Sequence, residues 1–299
     1  MPAKQDYRNS FYNQNLIEEG TIFIKRWLLP YIRQTWLWQF KKCIALGLSG
    51  SAIYAEADES SDIDIIVMIN DLLCRNITIS CMDLEDEIKS KINRVVFPHV
   101  DVGVVKISYL GINSLEADEI VITEKFLEGG FIVKTFRPVI EIGGWIEQLQ
   151  SELKKALERI SEDKDRLMAH FWVMSALNFM TNIKPMMKRK PFVYESFFGR
   201  VVIDLIKFLY LLNNEFIPPI KCFYDHLSGL HSGAFAADYI KKIKQNPNPK
   251  KRAEYYESLI LRIAEELLFP SGGKARDYGL DDNSKTRYLK KAIVHYLFR

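Results

Sequence analysis

The chain has 299 residues, a formal net charge of +3, and 48% hydrophobic, 26% charged and 12% aromatic residues. That balance excludes global disorder, a collagen-like repeat and a coiled coil, and the length favours two packed domains over a single core. A net charge so close to zero gives no ground by itself for a nucleic-acid binder.

Residues 13–36 carry Leu16, Ile17, Phe23, Ile24, Trp27, Leu28 and Tyr31 near the 3, 4, 7 spacing of an amphipathic helix. Gly20 and Pro30 are interruptions that would shorten it. Cys43 to Leu48 and Ile63 to Ile69 are short apolar runs separated by a polar, acidic connection, and both read as buried strands. Residues 82–95 suit a helix, and Val100 to Leu110, rich in β-branched residues, is predicted as a third strand. From Trp145 the pattern turns helical, over roughly 145–160, 163–184, 194–214, 234–245, 251–268 and 285–298, with no further strand signal. Pro218-Pro219, Asn246-Pro247-Asn248-Pro249 and Ser271-Gly272-Gly273 punctuate these helices. Placing the boundary at Gly143-Gly144 predicts an α/β domain over residues 1–144 and an all-α helical-bundle domain over 145–299.

Cys43, Cys74, Cys81 and Cys222 stand far apart with no C-x-x-C pair, which reads as reduced thiols in a cytoplasm and argues against a disulfide framework or a cysteine zinc site. The N-terminus MPAKQDYRNS has no apolar core of a leader, and the apolar stretch Val201 to Leu212 is short and contains Asp204 and Lys207, so no membrane partner is expected.

The chemistry concentrates in Gly47-Leu-Ser-Gly-Ser51 and Ser61-Asp62-Ile-Asp64, joined by Glu56, Asp58 and Glu59. Side chains alternate along a strand, so Asp62 and Asp64 leave the second strand on one face while Ile63, Ile65 and Val67 take the other. Neighbouring carboxylates stay ionised at neutral pH when a cation sits between them, and hard divalent ions bind carboxylate oxygens together with substrate phosphates. The turn at Ser49, Gly50 and Ser51 offers a backbone open to close approach, N–H donors and hydroxyls, as a phosphate requires.

A Gly-Ser pair after a strand, then ten residues, then Ser-Asp-Ile-Asp opening the next strand resembles the signature of the DNA polymerase beta-like nucleotidyltransferase superfamily, which includes aminoglycoside and minimal nucleotidyltransferases. Its members carry a third acidic residue on a later strand, matched by Asp101 in Val100-Asp101-Val102, with Gly103 leaving room beside it. Many relatives place a glycine near the position where this chain has Tyr54-Ala55. The resemblance implies a nucleotidyltransferase-type mixed sheet, two Mg²⁺ ions on Asp62, Asp64 and Asp101, and the phosphates of a nucleoside triphosphate, ATP in the first place, held by Gly50, Ser51 and Ser61. A nucleoside monophosphate would then pass to an acceptor hydroxyl. Glu124, Glu128 and Glu141 are candidate general bases by position only.

Pro191-Phe192-Val-Tyr194 and Leu209 to Lys221 are similar to a bacterial helical domain of uncharacterised function found after such nucleotidyltransferase domains. This implies Tyr194, Asn213 and Lys221 as residues facing the acceptor or the phosphates, against the alternative that Tyr194 ends the core row Val202, Leu205, Ile206, Leu209 and Leu212. The acidic loop favours a small, hydroxylated, cationic acceptor over nucleic acid. Protein-directed adenylylation of the antitoxin kind, a nucleotide-binding regulator without turnover, and a homodimer stay open. Ser271-Gly-Gly-Lys274 lacks phosphate-loop spacing and the five histidines show no metal pairing; His99, two residues before Asp101, could reach the site but reads first as a satisfied structural histidine, and the basic runs could bind RNA but read first as solvated helix ends.

Overall fold

The protein is described by a computed structural model, which covers residues 7–54, 57, 61–75, 77, 80–93, 99–224, 226–231, 233–264 and 266. The chain divides into two compact units, Met1–Val121 with Glu128–Ala156 and Ile122–Leu127 with Leu157–Arg299.

The first unit is a mixed α/β structure. Its four strands are β1 (Ile44–Leu48), β2 (Ile63–Ile69), β3 (Val100–Lys106) and β4 (Arg137–Glu141), in the sheet order β3-β2-β1-β4. Every residue of the central strand β1 is buried, as the apolar run Ile-Ala-Leu-Gly-Leu requires. It runs antiparallel to β2 and β4, whereas β2 and β3 are parallel, a pairing that needs a crossover connection. That connection contains α3 (Cys81–Ile88), whose Ser80 cap accepts the Asp83 N–H at 3.2 Å.

Residues 7–34 form α1 (Tyr7–Phe23), a π-helical turn (Ile24–Leu28) and α2 (Leu29–Gln34). Neither expected interruption ends the helix. A Cβ on Gly20 would lie 2.5 Å from Leu48 Cδ2 and 2.8 Å from Ile63 Cγ2, so this glycine lets α1 press onto the sheet. Pro30 comes just after the π-helical turn, and the wider turn lets the chain pass a residue that lacks an N–H without ending the helix. Phe23, Ile24, Leu28, Leu48, Ile63, Ile65, Val67, Val102 and Val104 belong to one core.

Two elements were not legible from the pattern. The helix α4 (Glu124–Thr135) contains Gly129-Gly130, a pair that lowers helix propensity. Gly129 is there because a Cβ would fall 2.0 Å from the Leu110 carbonyl oxygen. The edge strand β4 is short and carries Pro138, which an edge tolerates. The third strand ends at Lys106 and not at Leu110; Ile107–Leu110 is a 3₁₀ turn closed by Gly111 at φ +78°.

The expectation of four reduced thiols fails for one pair: Cys43 and Cys74 are disulfide-bonded across a separation of 31 residues. The β1–β2 register sets Ile44 against Ile69, the Asn70 N–H reaches the Cys43 carbonyl at 2.8 Å, and the next turn returns Cys74 to Asn70. Spacing in sequence carries no trace of that register.

After α5 (Trp145–Glu158) the described residues contain helices and turns and no strand: α6 (Glu162–Trp172), π-helical turns at Val173–Leu177 and Phe179–Ile183, α7 (Lys184–Arg189), α8 (Pro191–Leu212), α9 (Ala236–Gln245) and α10 (Pro249–Ile263). The expected helix over 163–184 thus contains two wider turns, which displace the apolar stripe by a residue each. In the second unit Tyr256 is fully buried, donates to the Val201 carbonyl at 2.6 Å and meets Phe179 edge-on at 4.7 Å. The Lys164 ammonium is likewise buried, bound to the Leu157 carbonyl at 2.6 Å and to Asn214 Oδ1. The helix expected over 285–298, the end of that over 251–268 and the loop Ser271 to Lys274 lie outside the described residues. No helix among the described residues is long and apolar enough to cross a membrane.

Candidate active site

The strand directions gather three chain segments at one end of the sheet. Because β1 is antiparallel to β2, its C-terminal end lies beside the start of β2; because β3 is parallel to β2, the start of β3 lies there too. Backbone bonds close the junction: the Ser49 N–H donates to the Asp64 carbonyl at 3.0 Å and the Ile63 N–H to the His99 carbonyl at 2.7 Å.

Asp64 and Asp101 are register partners on the parallel pair. Partners in such a pair project to the same side, and the burial pattern agrees: Ile63, Ile65, Val100 and Val102 are buried, Asp64 is half-buried and Asp101 exposed. Asp62 stands one residue before β2, its side chain largely exposed. The carboxylates therefore share the face turned away from the α1 side of the sheet.

The turn after β1 is built against them. Gly50 has φ +74°, and a Cβ there would fall 1.7 Å from Asp64 Oδ2, so only glycine brings the backbone this close to the carboxylate. The Gly50 carbonyl accepts the N–H groups of Ile53 and Tyr54 at 3.1 and 3.2 Å, curling residues 50–54 into one turn. The Tyr54 ring meets Phe131 edge-on at 5.2 Å, so this tyrosine anchors the loop. Ser51, half-buried, follows Gly50 in this turn, and Ser61 leads into β2. At Gly103 a Cβ would meet nothing within 4 Å; the space beside Asp101 is open.

Two nitrogen side chains, Lys89 and His99, border the aspartates, and sequence reasoning passed over the first. Lys89 Nζ lies 3.0 Å from Asp101 Oδ1 and 2.7 Å from Glu85 Oε1, and Glu85 before Asp101 raises the lysine above its usual range. The Glu85-to-Lys89 i,i+4 spacing was the available signal. His99 Nδ1 lies 4.0 Å from Asp62 Oδ1 and the ring is 81% exposed, which corrects the reading of His99 as a structural, satisfied histidine. Among the described residues no group of three or more His, Cys, Asp or Glu is drawn together closely enough to hold a metal ion.

The remaining candidates fall elsewhere. Glu141 sits on β4 beside Ala45, at the far end of β1 from Gly50, and its carboxylate accepts the Ile146 N–H at 2.7 Å as a cap for α5. Glu124 is ion-paired with the buried Lys207 of α8 within the second unit, and Glu128 follows one turn later in α4. Tyr194 is wholly buried, stacked on Phe198 at 5.2 Å, and donates to the Pro249 carbonyl at 3.4 Å; burial pushes its hydroxyl up to about 12. It is therefore a core residue and not an acceptor-facing one. Asn213 closes α8 by donating from Nδ2 to the Leu209 carbonyl at 2.7 Å. Lys221 is exposed on the short turn Ile220–Cys222 of the second unit. Glu56, Asp58 and Glu59 lie outside the described residues.

No family model matches the chain, and no curated protein matches it. Among solved structures it is similar to a nucleotidyltransferase-like protein from Exiguobacterium sibiricum 255-15, at 10% identity over 93% of this chain and 91% of that one, with a TM-score of 0.44.

Proposed function

We propose that the protein is an Mg²⁺-dependent nucleotidyltransferase that moves a nucleoside monophosphate, AMP in the first place, from a triphosphate to the hydroxyl of a small, preferably cationic acceptor. The observation that carries this reading is the junction itself: Asp64 and Asp101 in register, with the Gly50 backbone seated against Asp64. Three carboxylates at one end of the sheet are the oxygen-donor set that suits a hard divalent ion, and a glycine turn beside them suits phosphate oxygens. Asp62, Asp64 and Asp101 would hold the ions, which when bound would neutralise phosphate charge and favour ionisation of the acceptor hydroxyl.

The chain's own residues supply binding and alignment. Among the described residues no acceptor takes the N–H groups of Gly50, Ser51 or Ala52, and with the Ser51 hydroxyl these would bind the β and γ phosphates. Ser61 borders the same phosphates, and Lys221 is assigned to them through the resemblance alone. In the transfer the acceptor oxygen bonds to the α-phosphorus, the bond from that phosphorus to the bridging oxygen breaks, pyrophosphate departs, and the hydroxyl proton passes to solvent or a nearby base. In sequence Glu56, Asp58 and Glu59 fall between Ser51 and Asp62, and negative charge carried near a site would favour a cationic acceptor over nucleic acid.

The test is incubation of purified protein with Mg²⁺, each α-labelled triphosphate and a panel of hydroxylated amines, reading labelled product and pyrophosphate. Label transfer that is lost in an Asp62→Asn, Asp64→Asn double variant is expected. Transfer by the double variant at the wild-type rate would remove the assignment.

A further inference from the structure

We propose that Lys89 is an internal counter-ion for the aspartate end of the sheet: its ammonium occupies Asp101 in the metal-free protein and yields that carboxylate when a divalent cation binds. This rests on the reading of Asp62, Asp64 and Asp101 as metal ligands. The geometry is a relay. Glu85 Oε2 accepts the Val104 N–H at 3.2 Å, Glu85 Oε1 lies 2.7 Å from Lys89 Nζ, and the same Nζ lies 3.0 Å from Asp101 Oδ1. Glu85 is thereby fastened to β3 three residues beyond Asp101, and it places the lysine over the carboxylate that faces Asp64.

Release is built into this arrangement. Lys89 is bound to two carboxylates, so leaving Asp101 sacrifices one partner and keeps the other. The Asp101 side chain is 60% exposed and that of Lys89 33%, so the pair sits in a high dielectric and is weak. A divalent ion brings twice the charge and bonds directly to the oxygen. Lys89 also opens the π-helical turn Lys89–Asn93 after α3, a wider turn of the kind found at functional sites. In the absence of metal the Lys89–Asp101 contact relieves the repulsion between Asp101 and Asp64, so Lys89 is a positioning residue for that end of the sheet.

The experiment measures Mn²⁺ affinity without nucleotide, by the loss of the free-ion electron paramagnetic resonance signal, on folded wild type and single variants. Lys89→Met, with Lys89→Gln as a second route to the same loss of charge, is expected to bind Mn²⁺ about two- to fivefold more tightly, the range set by an exposed ion pair. Lys89→Arg should keep the wild-type affinity. Lys91→Met removes an equal charge two residues away from a lysine paired with Glu87 and should change nothing. Equal affinity of wild type and Lys89→Met, or equal tightening by Lys91→Met, overturns the counter-ion role. Mn²⁺ binding that Asp64→Asn and Asp101→Asn leave untouched, or no binding by any variant, overturns the metal reading itself and this inference with it.

Discussion

Asp64 on β2 and Asp101 on β3 are register partners across a parallel strand pair, so their carboxylates leave the sheet on the same face and at the same level. Adjacent strands are about 4.8 Å apart, and two like charges at that spacing repel by about 1 kcal/mol even in a water-like dielectric. Asp64→Asn should therefore leave stability to urea unchanged or raise it by up to about 1 kcal/mol, while abolishing Mg²⁺-dependent nucleotidyl transfer. Asp101→Asn removes the same repulsion but also the Lys89 pair, and its stability should stay near that of wild type. Full transfer by Asp64→Asn would sink the proposed activity.

Gly50 and Gly103 flank the carboxylates and should respond in opposite ways. At Gly50, φ +74° and a Cβ placed 1.7 Å from Asp64 Oδ2 make Gly50→Ala destabilising by about 1–3 kcal/mol. The turn thus serves the fold as well as any ligand. Gly103→Ala meets open space and should be neutral or stabilising by a few tenths of a kcal/mol up to about 1. Its methyl would enter the room beside Asp101, and calorimetry should show weaker Mg²⁺-triphosphate binding than in wild type. Unchanged affinity would take Gly103 out of the site.

The Cys43–Cys74 bond closes a loop with a sequence separation of 31, for which chain entropy predicts about 3–4 kcal/mol of stabilisation. Cys43 precedes β1 and Gly50 follows it, so the whole length of the strand, about 17 Å, lies between the bond and the glycine turn. Reduction, or Cys74→Ser, should lower the melting temperature while leaving nucleotide affinity intact. A melting curve indifferent to reductant would contradict this.

Asp165 in the first turn of α6 is pushed up to about 6, chiefly by burial, with Lys164 opposing and Glu162 assisting. One oxygen, Oδ2, is buried without a hydrogen-bond partner. The folded pKa stands above the unfolded value of about 3.9, so between about pH 4 and 6 the folded state holds the extra proton and stability falls as pH rises. Above pH 6 the penalty is complete. Because the group is partly solvated, we expect Asp165→Asn to stabilise by only about 1 kcal/mol at pH 7, with no gain at pH 4. Denaturation curves at both values check the sign.

The local patterns carried a good part of the architecture. An apolar run marked β2 at Ile63–Ile69, and the stripe Val202, Leu205, Ile206, Leu209 marked the buried side of α8. The small-residue turn before an aspartate pair was visible for the same reason, since strand periodicity alone puts Asp62 and Asp64 on one face. Glycine was misread where it served packing: Gly20 looked like a helix breaker, yet it lies where a Cβ would strike the sheet, and Gly129 of α4, which drew no reading, likewise lies where a Cβ would strike Leu110.

By itself, then, the sequence determined what depends on neighbours along the chain: where β1, β2 and most of the helices form, which side of each is apolar, and that phosphate and metal chemistry had candidate residues at Gly50, Asp62 and Asp64. Only the tertiary structure decided which distant residues meet. Asp101 faces Asp64 across 37 positions, Cys43 reaches Cys74 and Lys89 covers Asp101 because burial of the apolar faces selected strand order and register. A one-residue slip in that register would turn each strand's side chains to the opposite face. That choice is made by the core as a whole, and no spacing within a single segment records it.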